Sequence, residues 1–439
     1  MLRALLSTSV PVLLCILISC SSSAVKDNET LRIHQASVSW LDSINWVDRA
    51  NDTTQSLTYG NGQSGHLVFL LNSFLLTHDS TYLEKAKMIG AKLQEYLQQL
   101  DSVQVRPSDF TLYNSIAGSI FALVELSKVT GEGAFTAAAI KGLDHVMAHQ
   151  DSTGSWGNGN DILFGDAGAG LLLLYAHENL GEDRFLNHAQ SVGNLLLSRA
   201  IESEAGLNWT GKQGDEYYLP NFSHGTAGIG YFLAKLFEAS GDSVFLLGAS
   251  KAYDFIEKES AADSIMLLPY GVPDLGWSNP YDIGWAHGPA GVARFCYVMY
   301  ERTQEGRYLE GLRKCYAAIE LSGIPNNPDS LFGYDEFPID YRFGMAGVAD
   351  FLLDYERIAD DPSVGGLADS VCTALVKRAS VENGQASWPF SPYEFMRTED
   401  TTVAYTGYFY GSSGILVPLM KREILKNGER FINYIDNPF

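Results

Sequence analysis

Phe222-Ser223-His224-Gly225-Thr226-Ala227-Gly228-Ile229-Gly230 runs directly into Tyr231-Phe232-Leu233-Ala234-Lys235-Leu236-Phe237, and Gly241-Asp242 comes shortly after. A Gly-x-x-Gly turn, an apolar run and a glycine stop describe a helix that begins at a crowded corner and is buried on most faces. The same phrase is written seven times. Its turns begin at Gly62, Ser115, Gly165, Gly225, Gly288, Gly344 and Gly411, a period of about 58 residues, which suits a helical hairpin plus a loop. The second run of each unit carries one apolar stripe. Tyr82, Ala86, Ile89, Leu93 and Tyr96 recur at helical spacing with Lys85, Lys87, Gln94 and Glu95 opposite, so this helix faces water. Inner helices that are apolar nearly all round need cover on every side, which favours a closed ring over an open solenoid. The expected fold is all-α, an α/α toroid of seven helical hairpins with inner and outer rings. Its glycine corners would gather at one mouth, where helix N-termini bring free N–H groups and partial positive charge together.

The remainder of the chain sets limits on partners. Of 439 residues 46% are hydrophobic and 19% charged, which excludes a disordered chain, and a mean hydropathy of -0.04 excludes a polytopic membrane protein. A net charge of -22 repels phosphate backbones, so nucleic acid is not an expected partner. Met1-Leu2-Arg3 followed by the apolar run Ala4–Ile18 reads as a signal peptide, too short for a comfortable membrane span. Leu17-Ile18-Ser19-Cys20 resembles a bacterial lipobox, in which the Cys becomes the acylated first residue of the mature chain; the alternative is an ordinary secretory signal. Acyl chains on Cys20 would hold a soluble domain at the cell envelope without a membrane-spanning helix. The expected organisation is a signal peptide over 1–19, a tether and N-terminal helix over 20–51, and the toroid over 52–439. Cys296, Cys315 and Cys372, an odd number set in apolar helical runs, read as buried thiols.

The repeats, over roughly residues 56–435, resemble the lanthionine synthetase C-like family of seven-fold α/α toroids. Phe222 to Gly230 is similar to the family's His-Gly-x-x-Gly signature, and Asn160-Asp161-Ile162-Leu163-Phe164-Gly165-Asp166-Ala167-Gly168 to its Asp-x-x-x-Gly-x-x-Gly turn. Cyclases of this family add a peptide Cys thiolate to a dehydroamino acid on a zinc ion. The resemblance implies that Asp161 and His224 match the positions that handle protons. The zinc ligands do not carry over. The family's Trp-Cys-x-Gly stands here as Trp285-Ala286-His287-Gly288, its Cys-His-Gly as Arg342-Phe343-Gly344, and its Arg four residues before the first zinc Cys as Asp282. Zinc needs three or four Cys, His or carboxylate ligands, and a guanidinium opposes a dication. No cofactor is therefore expected, although His224, His287 and Asp161 or Asp282 leave a different metal open.

His224 and His287 each precede the first Gly of successive repeats, so the ring brings them to one mouth as candidate acid or base groups with Asp161. The bland alternatives are imidazoles that only tie loop carbonyls together, and an Asp161 that only caps a turn. Trp285, Asp282, Arg342, Tyr408 and Tyr410 are the candidate substrate-binding residues. Aromatics are abundant before the turns, including Trp156, Trp209, Tyr217, Tyr218, Trp277, Tyr281, Trp388, Tyr393 and Tyr405; they suit a peptide or a sugar, or pack loops on the rim. Acids at Asp109, Asp166, Asp335, Glu336 and Asp340 complete the loop carboxylates. The expected function is a lipid-anchored protein of this family that binds or modifies a peptide, without zinc or catalytically degenerate. The alternatives are a carbohydrate-active α/α-barrel envelope protein, as some glycosidases are, and a non-catalytic peptide-binding scaffold.

Overall fold

Every Gly-x-x-Gly turn becomes the start of an inner helix, for a reason visible at its second glycine. A Cβ on Gly228 would lie 2.0 Å from the carbonyl oxygen of Phe222, and one on Gly414 1.7 Å from that of Tyr408. Gly65, Gly168, Gly291 and Gly347 meet the carbonyl six residues earlier in the same way. The loop thus lies directly on the first turn of its helix, and any side chain there would push it off.

The computed structural model describes residues 29–46, 57–102, 104–210, 216–273, 275–276, 281–359, 361–389 and 404–439. Cys20, Trp277 and Tyr393 lie outside the described residues. Inner helices are α2 (Gln63–Thr77), α4 (Ile116–Thr130), α6 (Asp166–Leu180), α8 (Thr226–Ser240), α10 (Pro289–Thr303), α12 (Met345–Glu356) and α14 (Ser412–Lys426). Each packs on the next, and α14 packs back on α2, so the ring is closed. Outer helices are α3 (Ser80–Gln98), α5 (Gly133–Ala148), α7 (Asp183–Arg199), α9 (Ser243–Glu259), α11 (Gly306–Leu321) and α13 (Pro362–Lys377). Most breaks between partners follow one pattern, α12 being an exception that ends on right-handed Arg357. A left-handed residue, such as Gly131, Gly181 or Gly241, ends the inner helix, and Asp79, Asp242 and Asp361 cap outer ones by accepting from a backbone N–H two residues on.

The seventh outer place is filled differently from the expectation of seven consecutive hairpins. No outer helix follows α14 among the described residues; the N-terminal helix α1 (Glu29–Ser43) packs on α14 instead, and His34 Nε2 lies 2.9 Å from Ser73 Oγ of α2. The N-terminal helix therefore closes the outer ring over the last inner one. Two short antiparallel hairpins, β1 (Ile201–Ser203) with β2 (Gly206–Asn208) and β3 (Ser380–Glu382) with β4 (Gln385–Ser387), follow α7 and α13. Trp209 and Trp388, just after them, are buried and donate Nε1–H to Leu196 O and Leu375 O at 2.7 and 2.8 Å. Trp156 does the same to Val146 O. These three indoles fasten loops to outer helices and do not face the mouth. Cys296, Cys315 and Cys372 are buried and free, and among the described residues no helix is long and apolar enough to cross a membrane.

A hydrogen-bonded belt joins the seven loops around the axis. At six of the seven junctions the residue two before the first turn position donates to its counterpart in the neighbouring repeat: Leu163 to Ser223, Ser223 to Ala286, Ala286 to Arg342, Arg342 to Phe409, Phe409 to Gly60 and Gly60 to Tyr113, at 2.7–3.4 Å. Each loop crosses the belt at this residue, coming from the barrel interior and leaving toward the mouth. The preceding residues Tyr59, Leu112, Ile162, Phe222, Trp285, Tyr341 and Tyr408 are all buried in the barrel. The C-terminal segment after α14 enters from the opposite end to meet them. Tyr434 stacks on Tyr59 with ring centres 3.7 Å apart, and buried Asp436 accepts from Tyr113, Trp285 Nε1 and Arg294 at 2.7, 2.8 and 2.6 Å. Removing Asp436 would leave Tyr113 and Trp285 Nε1 without their acceptor and would take from Arg294, 4% exposed at its side chain, the closer of its two carboxylates, Asp350 lying 3.4 Å away. Asp436→Ala is therefore expected to destabilise the fold by about 3–5 kcal/mol in chemical denaturation; a loss below about 1 kcal/mol would mean that the tail does not anchor the barrel.

Candidate functional site at the mouth

The residues on the outer side of the belt, one before each first turn position, include Phe164, His224, His287, Phe343 and Tyr410, and they form the floor of the mouth. Asn221 Oδ1 accepts the backbone N–H of His224 at 2.9 Å, and Asp161 Oδ1 that of Phe164, so each loop is turned by its own Asx side chain. Asp340 and Phe343 repeat this in the sixth unit at 2.8 Å.

The turn leaves the second oxygen of Asp161 to meet His224 of the next repeat. Asp161 Oδ2 lies 3.3 Å from His224 Nδ1, His224 Nε2 lies 3.1 Å from Arg342 Nη2, and Arg342 Nη1 donates to the Tyr410 hydroxyl at 2.6 Å. Arginine only donates, so His224 Nε2 accepts, and Nδ1 carries the proton that points to Asp161. The tautomer is thus set by its neighbours. The guanidinium lies 4.8 Å from the ring centre of Phe343 and 5.5 Å from that of Phe409, and Phe164, 44% exposed, stacks on His224 at 5.3 Å. Four repeats contribute to this one chain of polar groups.

His287 sits beside it, with ring centres 5.6 Å from His224, 4.4 Å from Tyr270 and 5.4 Å from Phe343. Its Nδ1 is 4.0 Å from Asp282 Oδ2, and its buried Nε2 has no hydrogen-bond partner among the described residues. Burial first, then the nearness of the His224 imidazole and the Arg342 guanidinium, hold its pKa well below the usual imidazole value. Asp282 accepts from Tyr334 at 3.0 Å and from Gly284 N at 2.9 Å. Burial, reinforced by the charge of Asp282, pushes Asp340 up to about 7.

The expected site residues therefore divide. Asp161, His224, Arg342 and Tyr410 are brought into one hydrogen-bonded chain, and His287 and Asp282 adjoin it. Trp285 and Tyr408 are corrections to the expected binding surface: both lie on the inner side of the belt, Trp285 bonded to Asp436 and Tyr408 against Tyr59 and Tyr341. A ligand at the mouth cannot reach them. Tyr217, Tyr218, Tyr281 and Tyr405 are loop residues that form no hydrogen bond within this polar chain. Phe164, Tyr270 and Tyr334 contribute walls that are absent from the expected set; Phe164 shares the register of His224, whereas nothing in the spacing marks the two tyrosines. An open cavity of about 430 Å³ extends from Phe164 past Asn61 and Asn114 to Tyr96 and Arg106. A second cavity, of about 550 Å³, lies at the far end of the barrel beside the C-terminal segment and shares no residue with this site.

Metal-ligating side chains are sparse here. The three positions matching the family's zinc ligands hold the methyl of Ala286, the guanidinium of Arg342 and the ring of Phe343, and no group of three His, Cys, Asp or Glu side chains arranged for a metal occurs among the described residues. This donor set does not fit zinc.

Comparison with known proteins places the chain more closely. Residues 53–331 match the family model described as lanthionine synthetase C-like protein. Among solved structures, nisin cyclase superposes with a TM-score of 0.64 at 14% identity, covering 88% of this chain and 94% of the cyclase. The Lin0763 protein from Listeria innocua superposes with a TM-score of 0.51 at 16% identity, covering 84% of this chain and 99% of that one. Identities this low speak for the fold alone.

The depressed pKa of His287 has a consequence for stability. The unfolded chain takes up a proton near pH 6.5 where folded His287 does not, so its contribution is present above that pH and lost as pH falls. Asp340, raised in the folded state, works in the opposite sense and adds stability on acidification. His287→Gln is expected to reduce the stability lost between pH 7 and pH 5 by about 2 kcal/mol in urea titrations. An unchanged pH slope would show that His287 protonates freely in the folded protein.

Proposed function

The chain belongs to the lanthionine synthetase C-like family, and from that premise we propose that its mouth receives a peptide at the cell envelope and handles protons on it through Asp161 and His224, without zinc. The observation that carries this reading is the chain Asp161–His224–Arg342–Tyr410 on the axis of the toroid. Asp161 holds His224 in one tautomer, and the Nε2 lone pair faces the mouth side groups, which is the arrangement of an oriented general base. The cavity beside Phe164, lined by Asn61, Asn114 and Thr111, supplies backbone-sized room and amide partners for an extended segment. His287 stands close enough to assist.

One observation favours the non-catalytic version of the same reading. Arg342 occupies the His224 lone pair, so a base role requires the guanidinium to turn to another acceptor. A protein that only binds peptide needs no such movement.

The two versions separate in one assay, with a synthetic peptide bearing cysteine and dehydroalanine as probe and the loss of alkylatable thiol as readout. If Asp161 and His224 act on protons, His224→Ala and Asp161→Asn should slow thioether formation by about 10²–10⁴-fold while circular dichroism is unchanged, and excess chelator should have no effect. Binding without turnover in the unaltered protein would favour the scaffold; no binding would reject the peptide reading. Localisation is tested separately. Cys20→Ala should move the protein from the membrane to the soluble fraction of a bacterial host, and continued membrane association would rule out anchoring through Cys20.

A further inference from the structure

The guanidinium of Arg342 stands at the mouth of a protein with a net charge of -22, yet no carboxylate matches its charge locally. Its partners are a neutral hydroxyl and an imidazole nitrogen; no carboxylate lies within ion-pair distance among the described residues. Its Nε is buried without a hydrogen-bond partner, and so is Nε2 of His287, a residue only 6% exposed. The nearby acids are engaged elsewhere. Asp161 serves His224 and Phe164 N, Asp282 serves Tyr334 and Gly284 N, and Asp340 serves Phe343 N. Phe343 and Phe409 lie against the guanidinium, and Nη1 and Nη2 each keep a second N–H beyond the bonds to Tyr410 and His224.

We propose that the mouth is a carboxylate receptor, in which Arg342 supplies a charge-assisted pair of hydrogen bonds and His287 Nε2–H a third. The Nδ1 to Asp282 separation of 4.0 Å is too long to hold the proton on Nδ1, so the Nε2–H form of His287 is available to donate. The inference deepens the peptide reading and rests on it for the source of the carboxylate, which is either a free C-terminus or a Glu or Asp side chain.

Propionate and propionamide, equal in shape and different in charge, test the receptor without any peptide. In the full chain labelled with ¹³C-histidine, propionate should shift the His287 ring resonance saturably and propionamide should not. Arg342→Gln should weaken the propionate response at least ~10-fold, and Arg342→Lys, which keeps the charge but loses the fork, should retain part of it. Equal responses to both probes, or a propionate response unaltered in both variants, would overturn the proposal. Should Arg342→Gln fail to fold by circular dichroism, Arg342→Lys and the amide probe still decide. Peptide pairs then identify the source: loss of affinity on C-terminal amidation assigns the terminus, and loss on Glu→Gln assigns the side chain. If a peptide binds equally with and without its carboxylates, the receptor fails and the peptide reading stands. If propionate binds and no peptide does, the receptor stands and the peptide reading fails.

Discussion

Close contact between a loop carbonyl and the first helical turn, possible only at glycine, is the constraint from which the molecule is built. At 1.7–2.1 Å from the position a Cβ would take, the carbonyls before Gly168, Gly228, Gly291, Gly347 and Gly414 leave no room for alanine. With the loops pressed down in this way, their next residues come within hydrogen-bond reach of one another and form the belt. The belt in turn separates two compartments. Residues just before it in each loop are buried in the barrel, and residues just after it line the mouth. A single backbone requirement, repeated around the ring, thus decides which side chains are core and which can meet a ligand.

The two ends of the barrel are closed by different means. At the mouth the belt does so; at the far end the C-terminal segment fills the barrel. Asp436 is central, because Trp285, Tyr113 and Arg294 all donate to it. Arg294 also reaches Tyr341, which shares Asp350 with Lys421, and Lys421 continues to Asp354. Buried charges of this kind are expensive unless every one has partners, and here they have them. Trp285 ties this interior network to the mouth, since it lies two residues before His287 in the same loop. The tail and the candidate site are therefore held by the two ends of one short segment that passes through the belt.

Most of this plan is legible in the sequence. Seven glycine turns followed by apolar runs announce inner helices, and the need to cover them announces closure. The capping role of α1 is not legible, because a period of helices taken in chain order gives hairpins and does not tell which terminus supplies the last outer one. The misplacement of Trp285 and Tyr408 has a simpler cause. Both stand near a turn, but the chain crosses the belt two residues before that turn, so two steps along the sequence carry it from core to mouth. Nearness to glycine does not make this distinction. His224, His287 and Tyr410 stand one residue before the first turn position, beyond the belt, whereas Trp285 and Tyr408 stand three before it, inside the barrel. Arg342, on the belt itself, reaches the mouth because its long side chain extends round to His224. Tyr270 and Tyr334 come from loops with no repeated pattern, and only the folded chain shows them.

The exchange of thiol and imidazole for guanidinium and phenyl changes what the mouth can do, beyond removing donors for zinc. A metal ion accepts lone pairs, whereas a guanidinium takes up only acceptors and holds them by hydrogen bonds. In this chain the acceptor it holds is His224, the group on which proton transfer would depend. A carboxylate is a stronger acceptor for Arg342 than a neutral imidazole, since the charge-assisted bond is about twice as strong. Binding a carboxylate at Arg342 would therefore draw Nη2 from His224 and free its lone pair, with Asp161 still holding Nδ1–H. Recognition and activation would then be one event. On the proposed reading a carboxylate-bearing ligand would unmask the base, and a ligand without it would leave His224 occupied.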